Sequence, residues 1–238
     1  MLLSIGSARN EIIDRRLACS LAGIAGALNA AAFYAAGFFS ANMTGNLSIL
    51  SDHIALGNGQ EATFYLSVIL AFISGACAAT FLLNAGMRRQ YPGRYALAIL
   101  VEGCLLLCLG GVINFSAQPQ RITFFVFGIA FLMGLQNAVS THISDARVRT
   151  THISGIATDI GIAMATLIDS MMHKGTVGEI SLIKTKLWLH AITIFSFFIG
   201  GILGVLLFQW LDTSVLWIAG ATLVMIALPS LTKTRNKL

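Results

Sequence analysis

Residues 40–48, Ser-Ala-Asn-Met-Thr-Gly-Asn-Leu-Ser, interrupt a long apolar stretch with small polar side chains and a glycine. A related stretch, TTHISGIAT, occupies residues 150–158. In a membrane, irregular backbone is tolerated only where it lines a cavity or is buried in protein. The two breaks therefore predict a helical membrane protein with an internal site.

The composition supports a membrane protein. The 238 residues are 56% hydrophobic and 11% charged, with a mean hydropathy of +0.81, whereas a soluble domain carries roughly 25% charged residues. The net charge of +5 is explained by basic loops beside a bilayer, so we expect lipid and no nucleic acid as partner. No metal-ligand spacing or cofactor motif appears, so no metal site and no cofactor are predicted.

Six apolar runs are long enough to cross a bilayer, which takes about 20 residues. They cover residues 18–39, 62–86, 95–115, 122–142, 186–210 and 213–231. Residues 43–57 are apolar but too short to cross, and residues 153–172 are long enough by length alone. The sequence thus predicts an all-α integral membrane fold with about six transmembrane helices plus two broken or half-spanning helices.

Basic residues predict the orientation of these spans. Arginine and lysine cluster in four segments, namely residues 1–16, 86–95, 143–152 and 232–238. Six spans place all four clusters on the cytoplasmic side, whereas eight spans would move at least one of them outside. We therefore expect a multi-pass protein with a cytoplasmic N-terminus (1–16) and a cytoplasmic tail (232–238).

The two halves of the chain resemble each other. Three pairs of segments align in the same order: 42–48 with 152–158, GALNA (26–30) with GLQNA (134–138), and FISGACAA (72–79) with FIGGILGV (198–205). The single membrane domain, residues 1–238, then contains a first repeat over 17–115 and a second over 121–231. Because each half holds three spans, the second enters the membrane from the opposite side. This 3+3 inverted repeat is typical of secondary transporters.

The segments NMTGN (42–46), GLQNA (134–138) and RTTHISG (149–155) together resemble the bacterial YoaK family of uncharacterised inner-membrane proteins. The likeness covers about residues 17–230, although His152 and Ser154 stand where that family is expected to have an apolar residue and a threonine. The resemblance implies a bacterial inner (cytoplasmic) membrane protein with six spans and does not indicate a substrate.

The predicted substrate-binding residues are the polar groups and glycines of the repeated segments. They are Asn29, Asn42, Thr44, Gly45, Asn46, Ser48, Gln136, Asn137, His152, Ser154, Gly155 and Thr158. One interpretation is a polar wall that faces a cavity at the repeat interface. The other is that the hydroxyls cap or back-bond their own helices and the amides join neighbouring helices.

Two acids are candidates for proton coupling. Glu102 lies in the middle of an apolar run, where a charge costs at least about 2.5 kcal/mol, so it either exchanges protons or bonds a neighbouring helix as the neutral acid. Asp159 follows the second break and is the other candidate, with a helix-capping role as its alternative.

These observations predict a small-molecule permease or secondary transporter for a small polar or weakly anionic solute, with proton coupling as an option. We expect no enzyme and no catalytic residues, since no nucleophile elbow, phosphate loop or metalloprotease motif is present. The alternatives are an intramembrane enzyme acting on a lipid-linked substrate and a non-transporting membrane scaffold or sensor. A homo-oligomer is compatible with the sequence.

Overall fold

The computed structural model describes residues 2–3, 10–117, 120–173 and 176–235, so part of the predicted terminal segments (residue 1, 4–9 and 236–238) lies outside the described residues. The described residues form helices and no strand. The eight α-helices are α1 (Glu11–Ala36), α2 (Met43–Ala55), α3 (Gly59–Arg88), α4 (Arg94–Phe115), α5 (Gln120–Ser144), α6 (Ile153–Met172), α7 (Val177–Leu211) and α8 (Val215–Arg235), with a short 3-10 turn at Asp212–Ser214. The predicted all-α fold is confirmed.

Local sequence fixes where these helices begin and end. Asn10 caps α1 by accepting a hydrogen bond from the backbone N–H of Ile13, so α1 starts before the apolar run. Gly37 ends α1 in the left-handed conformation, with φ of 71°, which glycine adopts at no steric cost. Thr176 and Glu179 form a capping box at the start of α7, which begins nine residues before the apolar run at 186–210.

Contacts at both ends show that α1 and α7 run side by side in the same direction. Near their starts, Thr185 donates a hydrogen bond to Glu11 (3.1 Å), and near their ends the rings of Tyr34 and Phe208 lie 6.1 Å apart. Helix α5 runs the opposite way. Its first turns reach Phe208 through Phe125, and the segment after its end joins the start of α1 through the Arg147–Asp14 ion pair.

The remaining directions follow from contacts with α5 and α4. Phe64 packs on Phe127, each near its helix start, so α3 runs parallel to α5. Tyr95, at the start of α4, donates to the His142 carbonyl at the end of α5, so these two are antiparallel. Asn114 accepts from Thr213, which makes α8 antiparallel to α4. Helices α1, α4 and α7 therefore point one way, and α3, α5 and α8 point the other way.

These directions collect the described basic loops at one end of the bundle, which we call the basic end. It holds the starts of α1, α4 and α7 and the ends of α3, α5 and α8. The described arginines and lysines of this end include Arg15, Arg16, Arg88, Arg89, Arg94, Arg147, Arg149 and Lys233. At the opposite end, Arg121 forms an ion pair with Asp212.

Six stretches of the described chain are long and apolar enough to cross a membrane, namely Glu11–Ala36, Gly59–Arg88, Arg94–Phe115, Gln120–Ser144, Ile153–Met172 and Val177–Thr234. The last contains both α7 and α8, which run in opposite directions and so are two passes. Helix α6 qualifies by length, yet the end of α5 and the start of α7 both lie at the basic end. Helix α6 therefore turns back rather than adding a crossing to the bundle, as α2 does at the opposite end.

Glycines allow the closest helix contacts. A Cβ at Gly26 would overlap the Phe197 carbonyl, and one at Gly200 would overlap the Gly23 carbonyl, where α1 crosses α7. The α3–α5 crossing is built in the same way from Gly75 and Gly134. Small residues let helix backbones approach closely in membranes, where packing rather than the hydrophobic effect drives association.

Candidate functional site

The first break is tied to the middle of α1 by Asn29. After Gly37 the chain turns back, and the Asn29 Oδ1 accepts hydrogen bonds from the Ala41 N–H (3.0 Å) and the Ser40 hydroxyl (3.4 Å). Asn29 is 8% exposed and Ser40 is fully buried. The loop thus enters the bundle instead of lying on its surface, and its buried backbone obtains the partners that it needs.

The second break is tied to α5 by Asn137 in the same way. The Asn137 Oδ1 accepts from the hydroxyls of Thr151 (2.7 Å) and Thr150 (3.4 Å), and its Nδ2 donates to the Met133 carbonyl. Asn29 and Asn137 each lie three residues after a crossing glycine, which is about 4.5 Å along the helix axis. Both loops are therefore anchored near the level at which the helices cross.

The short helices after the breaks begin alike. Asn42 caps α2 through the Gly45 N–H (3.1 Å), and its side chain fills the space that a Cβ at Gly45 would need. The His152 ring covers Gly155 at the start of α6. The sequence of buried, half-buried and exposed positions is identical over residues 41–48 and 151–158. Each glycine therefore leaves room for the side chain three residues earlier, which caps the helix at Asn42 and makes no cap hydrogen bond at His152.

In each of the two segments, one hydroxyl group donates a hydrogen bond within its own helix. Ser48 donates to the Thr44 carbonyl (3.0 Å), and Thr158 donates to the Ser154 carbonyl (3.1 Å). All four side chains are on exposed positions. Asn46 is buried and donates to the Phe39 carbonyl (3.0 Å), which braces the loop before α2. For these hydroxyls the back-bonding interpretation describes the observed hydrogen bonds.

A cavity of about 880 Å³ lies between α1 and α7, next to both breaks, and it is open on the outer face of the bundle, where Phe33, Tyr34 and Phe198 are exposed. Its walls are mostly aromatic and aliphatic, and no lining residue is charged: Asn29, Ala30, Phe33, Tyr34, Phe39, Ile153, Ile194, Phe197, Phe198, Gly201, Ile202, Val205 and Leu206. Phe33 and Phe39 stack with their ring centroids 4.2 Å apart. Phe39 directly precedes the first break and Ile153 lies within the second, so both breaks border this cavity.

Of the predicted binding residues, Asn29 is the one that lines this cavity. For Thr44, Gly45, Ser154 and Gly155, the polar wall facing a cavity at the repeat interface stays a prediction. Glu102 and Gln136, both fully buried, lie apart from the cavity, within the α4–α5 contact. Asp159 is half-buried on α6 and interacts electrostatically with His190.

Sequence reasoning missed several residues that build the site. Ser40, Thr150 and Thr151 serve as the partners of the two asparagines, and Phe33 and Phe39 form the aromatic wall. Ser40 and Thr150 are fully buried polar residues that lie three positions before the short helices. A hydroxyl 11 residues after Asn29 and another 13 residues after Asn137 are the signal that could have revealed these loop anchors.

Comparison with known proteins places the chain in a family. Residues 17–228 match the family described as Protein of unknown function (DUF1275). The chain is also similar to the UPF0700 transmembrane protein YoaK of Bacillus subtilis (strain 168), with 26% identity over 120 residues. This alignment covers 49% of the chain and 52% of the relative, so the chain spans about half the length of the curated relative that it matches.

No solved structure matches the chain. The family match extends from the start of the first apolar run almost to the end of α8 and thus includes both breaks and both asparagine anchors. The chain therefore belongs to the DUF1275 family of membrane proteins.

Proposed function

We propose that this protein is a secondary transporter that works by alternating access, with residues 17–115 and 121–231 as an inverted repeat. The observation that carries the proposal is the arrangement of the helices. Each of α1, α3 and α4 points opposite to its counterpart α5, α7 or α8. Inverted repeats around broken helices are a common architecture of secondary transporters.

Helix pairing supports the duplication independently of direction. The α1–α7 contact has its counterpart in α5–α3, and α2 packs on α3 as α6 packs on α7. Helices α4 and α8 are counterparts of each other, so their mutual contact is symmetric: Gly103 and Gly220 each face the other's carbonyl. Exchanging the two halves thus leaves the pattern of helix contacts unchanged.

The glycine contacts also give the register of the repeat. Gly26 contacts Phe197 in the same way as Gly134 contacts Phe72. Likewise, Gly200 contacts residue 23 in the same way as Gly75 contacts residue 131. The counterpart of Phe72 is therefore Phe197, one residue earlier than the sequence alignment of 72–79 with 198–205. The difference arises because packing follows the close backbone approach and not the identity of the flanking side chains.

The cavity leads us to propose an uncharged solute, largely apolar and ring-containing, with one hydrogen-bond acceptor. Aromatic walls favour a flat apolar group, and the Asn29 amide can donate to an acceptor, since its Oδ1 already holds the loop. An anion would find no cation among the lining residues. This solute class replaces the small polar or weakly anionic solute expected from the sequence.

We also propose that the protein lies in the bacterial inner membrane with the basic end, and with it both termini, in the cytoplasm. The collection of arginines at one end of the bundle supports this orientation through the positive-inside rule. We propose transport in preference to catalysis because Ser48 and Thr158 donate their hydroxyls to carbonyls of their own helices, which is a structural role.

Paired cysteine probes test alternating access without knowledge of the solute. Ala30 lines the cavity, and Ala138 is its counterpart in the second half. Each is changed to cysteine in a background without the four native cysteines, and oriented vesicles are treated with a membrane-impermeant thiol reagent. We expect labelling of Ala30→Cys from the side opposite the basic end, and of Ala138→Cys from the basic side.

A lock across the cavity then tests whether the two accessibilities are linked. Phe33→Cys and Leu206→Cys, which line the same cavity, are joined by a cross-linker in a background where they and Ala138→Cys are the sole cysteines. The cross-link should close the cavity and increase the labelling of Ala138→Cys. Unchanged labelling of Ala138→Cys would favour a static scaffold. Protection of both probes from both sides would exclude a water-accessible transport pathway.

A further inference from the structure

Glu102 and Gln136 form an isolated polar pair inside the bundle. Both are 0% exposed, and they interact across the contact of α4 with α5. Neither side chain makes a hydrogen bond of normal geometry with the described residues, although each has oxygen or nitrogen atoms that need one. Buried polar groups without partners are costly, so this pair requires an explanation beyond packing.

No charged group lies near the carboxyl to balance it. Residues 122–141 of α5 and 215–232 of α8, which pack on α4, contain no acidic, basic or histidine residue. Arg94 is eight residues from Glu102, about 12 Å along α4, and Asn114, where Asp212 and Arg121 meet the helix end, is about 18 Å away. The titratable side chains in the neighbouring parts of α3 and α4 are Tyr65, Cys77, Tyr95, Cys104 and Cys108.

The molecule contains its own comparison for this pair. By the glycine contacts, Gly134 corresponds to Gly26 and Gly103 to Gly220, so the counterparts of Gln136 and Glu102 are Leu28 and Ala219. Both are buried and apolar, and they lie in helices α1 and α8, which touch over a much smaller area than α4 and α5. The equivalent positions of the other half therefore carry an apolar pair, and we expect the fold not to require the carboxyl and the amide.

We propose that Glu102 and Gln136 form an occluded proton-binding site, present in one half of the chain and absent at the equivalent positions of the other half. The neutral acid donates its O–H to Gln136 Oε1, and Gln136 Nε2 donates to the acid carbonyl oxygen, so each group satisfies the other after a small side-chain rotation. When the proton leaves, the Gln136 N–H still stabilises the carboxylate. Gln136 is thus a positioning residue for the proton on Glu102.

The role of this proton as the driving ion rests on the proposed transport function, whereas its presence on Glu102 does not. In a transporter, the carboxyl would release its proton only in a conformation that opens the α4–α5 contact to water. The counterpart residues Leu28 and Ala219 cannot ionise, so one proton site is expected in each chain.

Infrared spectroscopy detects the proton directly. In the full-length protein with isotope-labelled glutamate, reconstituted in nanodiscs at neutral pH, we expect the carbonyl band of a neutral carboxylic acid. Glu102→Gln should remove this band, and Gln136→Leu should shift it to higher frequency because the carbonyl loses its donor. A wild-type spectrum without the band would overturn the proposal, as would a band that survives in Glu102→Gln.

A double variant tests whether the polar pair is needed for folding. Glu102→Ala with Gln136→Leu copies the apolar counterpart pair, so it should fold with unchanged or higher thermal stability and show no neutral-acid band. A fall in stability would contradict the claim that the fold does not need this pair.

The coupling to transport has its own readout. Labelling of Ala138→Cys should change with pH in the wild-type background and lose that dependence with Glu102→Gln. A neutral-acid band together with pH-independent labelling would keep the proton site and reject its coupling role.

Discussion

Adding one methyl group at the α3–α5 crossing should destabilise the protein, because the backbones already touch there. At Gly75, a Cβ would overlap the Phe131 carbonyl oxygen and lie 2.8 Å from the carbonyl carbon and 3.1 Å from the Leu135 nitrogen. Ordinary contacts begin at 3.4 Å, so the helices must separate by at least 0.6 Å, the difference between 3.4 and 2.8 Å. The obstruction is backbone, which cannot rotate away as a side chain can.

The expected loss of stability for Gly75→Ala is about 1–3 kcal/mol, the usual cost of overpacking. Gly111→Ala is the matched control, since Gly111 lies in α4 with no atom within 4 Å of its added Cβ. There alanine should stabilise by about 0.4–1 kcal/mol. The two variants should therefore differ by at least about 1.4 kcal/mol, which is a tenfold difference in the unfolding equilibrium constant.

Equilibrium unfolding in mixed detergent micelles, followed by tryptophan fluorescence, measures this difference. Thermal unfolding in the same detergent provides an independent check. If Gly75→Ala proved as stable as Gly111→Ala, the close crossing of α3 and α5 would be wrong, and with it the register of the repeat.

Three further predictions concern the caps, the loop anchors and the topology. Asn42→Ala should lower the free energy of unfolding by about 1 kcal/mol, because the Gly45 N–H loses its acceptor, while Asn42→Asp should restore it; the same micelle titration measures both. Asn137→Ala should cost about 1–3 kcal/mol, since it leaves the buried Thr150 without its hydrogen-bond acceptor, and it should speed hydrogen exchange in residues 149–152; unchanged exchange would contradict the anchoring role. In intact cells, an impermeant thiol reagent should label Ala117→Cys and not Arg89→Cys. Labelling of Arg89→Cys from outside would contradict the proposed orientation.

The sequence by itself determined the class of protein and the position of its helices. Apolar runs of about 20 residues need no tertiary information to be identified, because each helix satisfies its own backbone in lipid. The breaks were visible for the same reason, since residues 40–48 and 150–158 carry polar groups and glycines that an uninterrupted span would not. Capping chemistry is local, yet the sequence offered hydroxyls as the capping groups, whereas the structure gives Asn42 that role through the Gly45 N–H.

Tertiary structure decided what the polar residues do. The sequence offered Thr44, Ser48, Ser154 and Thr158 as a polar wall, and a hydroxyl can bond backwards within its helix equally well. The structure shows such back-bonds for Ser48 and Thr158, while the polar wall stays a prediction. Likewise, length alone made α6 a span, and only the directions of α5 and α7 show that it turns back.

The partner of Glu102 was equally hidden in the sequence. Gln136 is 34 positions away in the chain, and the two meet because α4 and α5 pack antiparallel with their midpoints at one level. Leu28 and Ala219 can be identified as the counterparts of Gln136 and Glu102 only from the glycine contacts between packed helices. Local sequence specifies where a helix starts and stops, whereas the partner of a buried side chain is set by helix direction and register, which depend on contacts between distant segments.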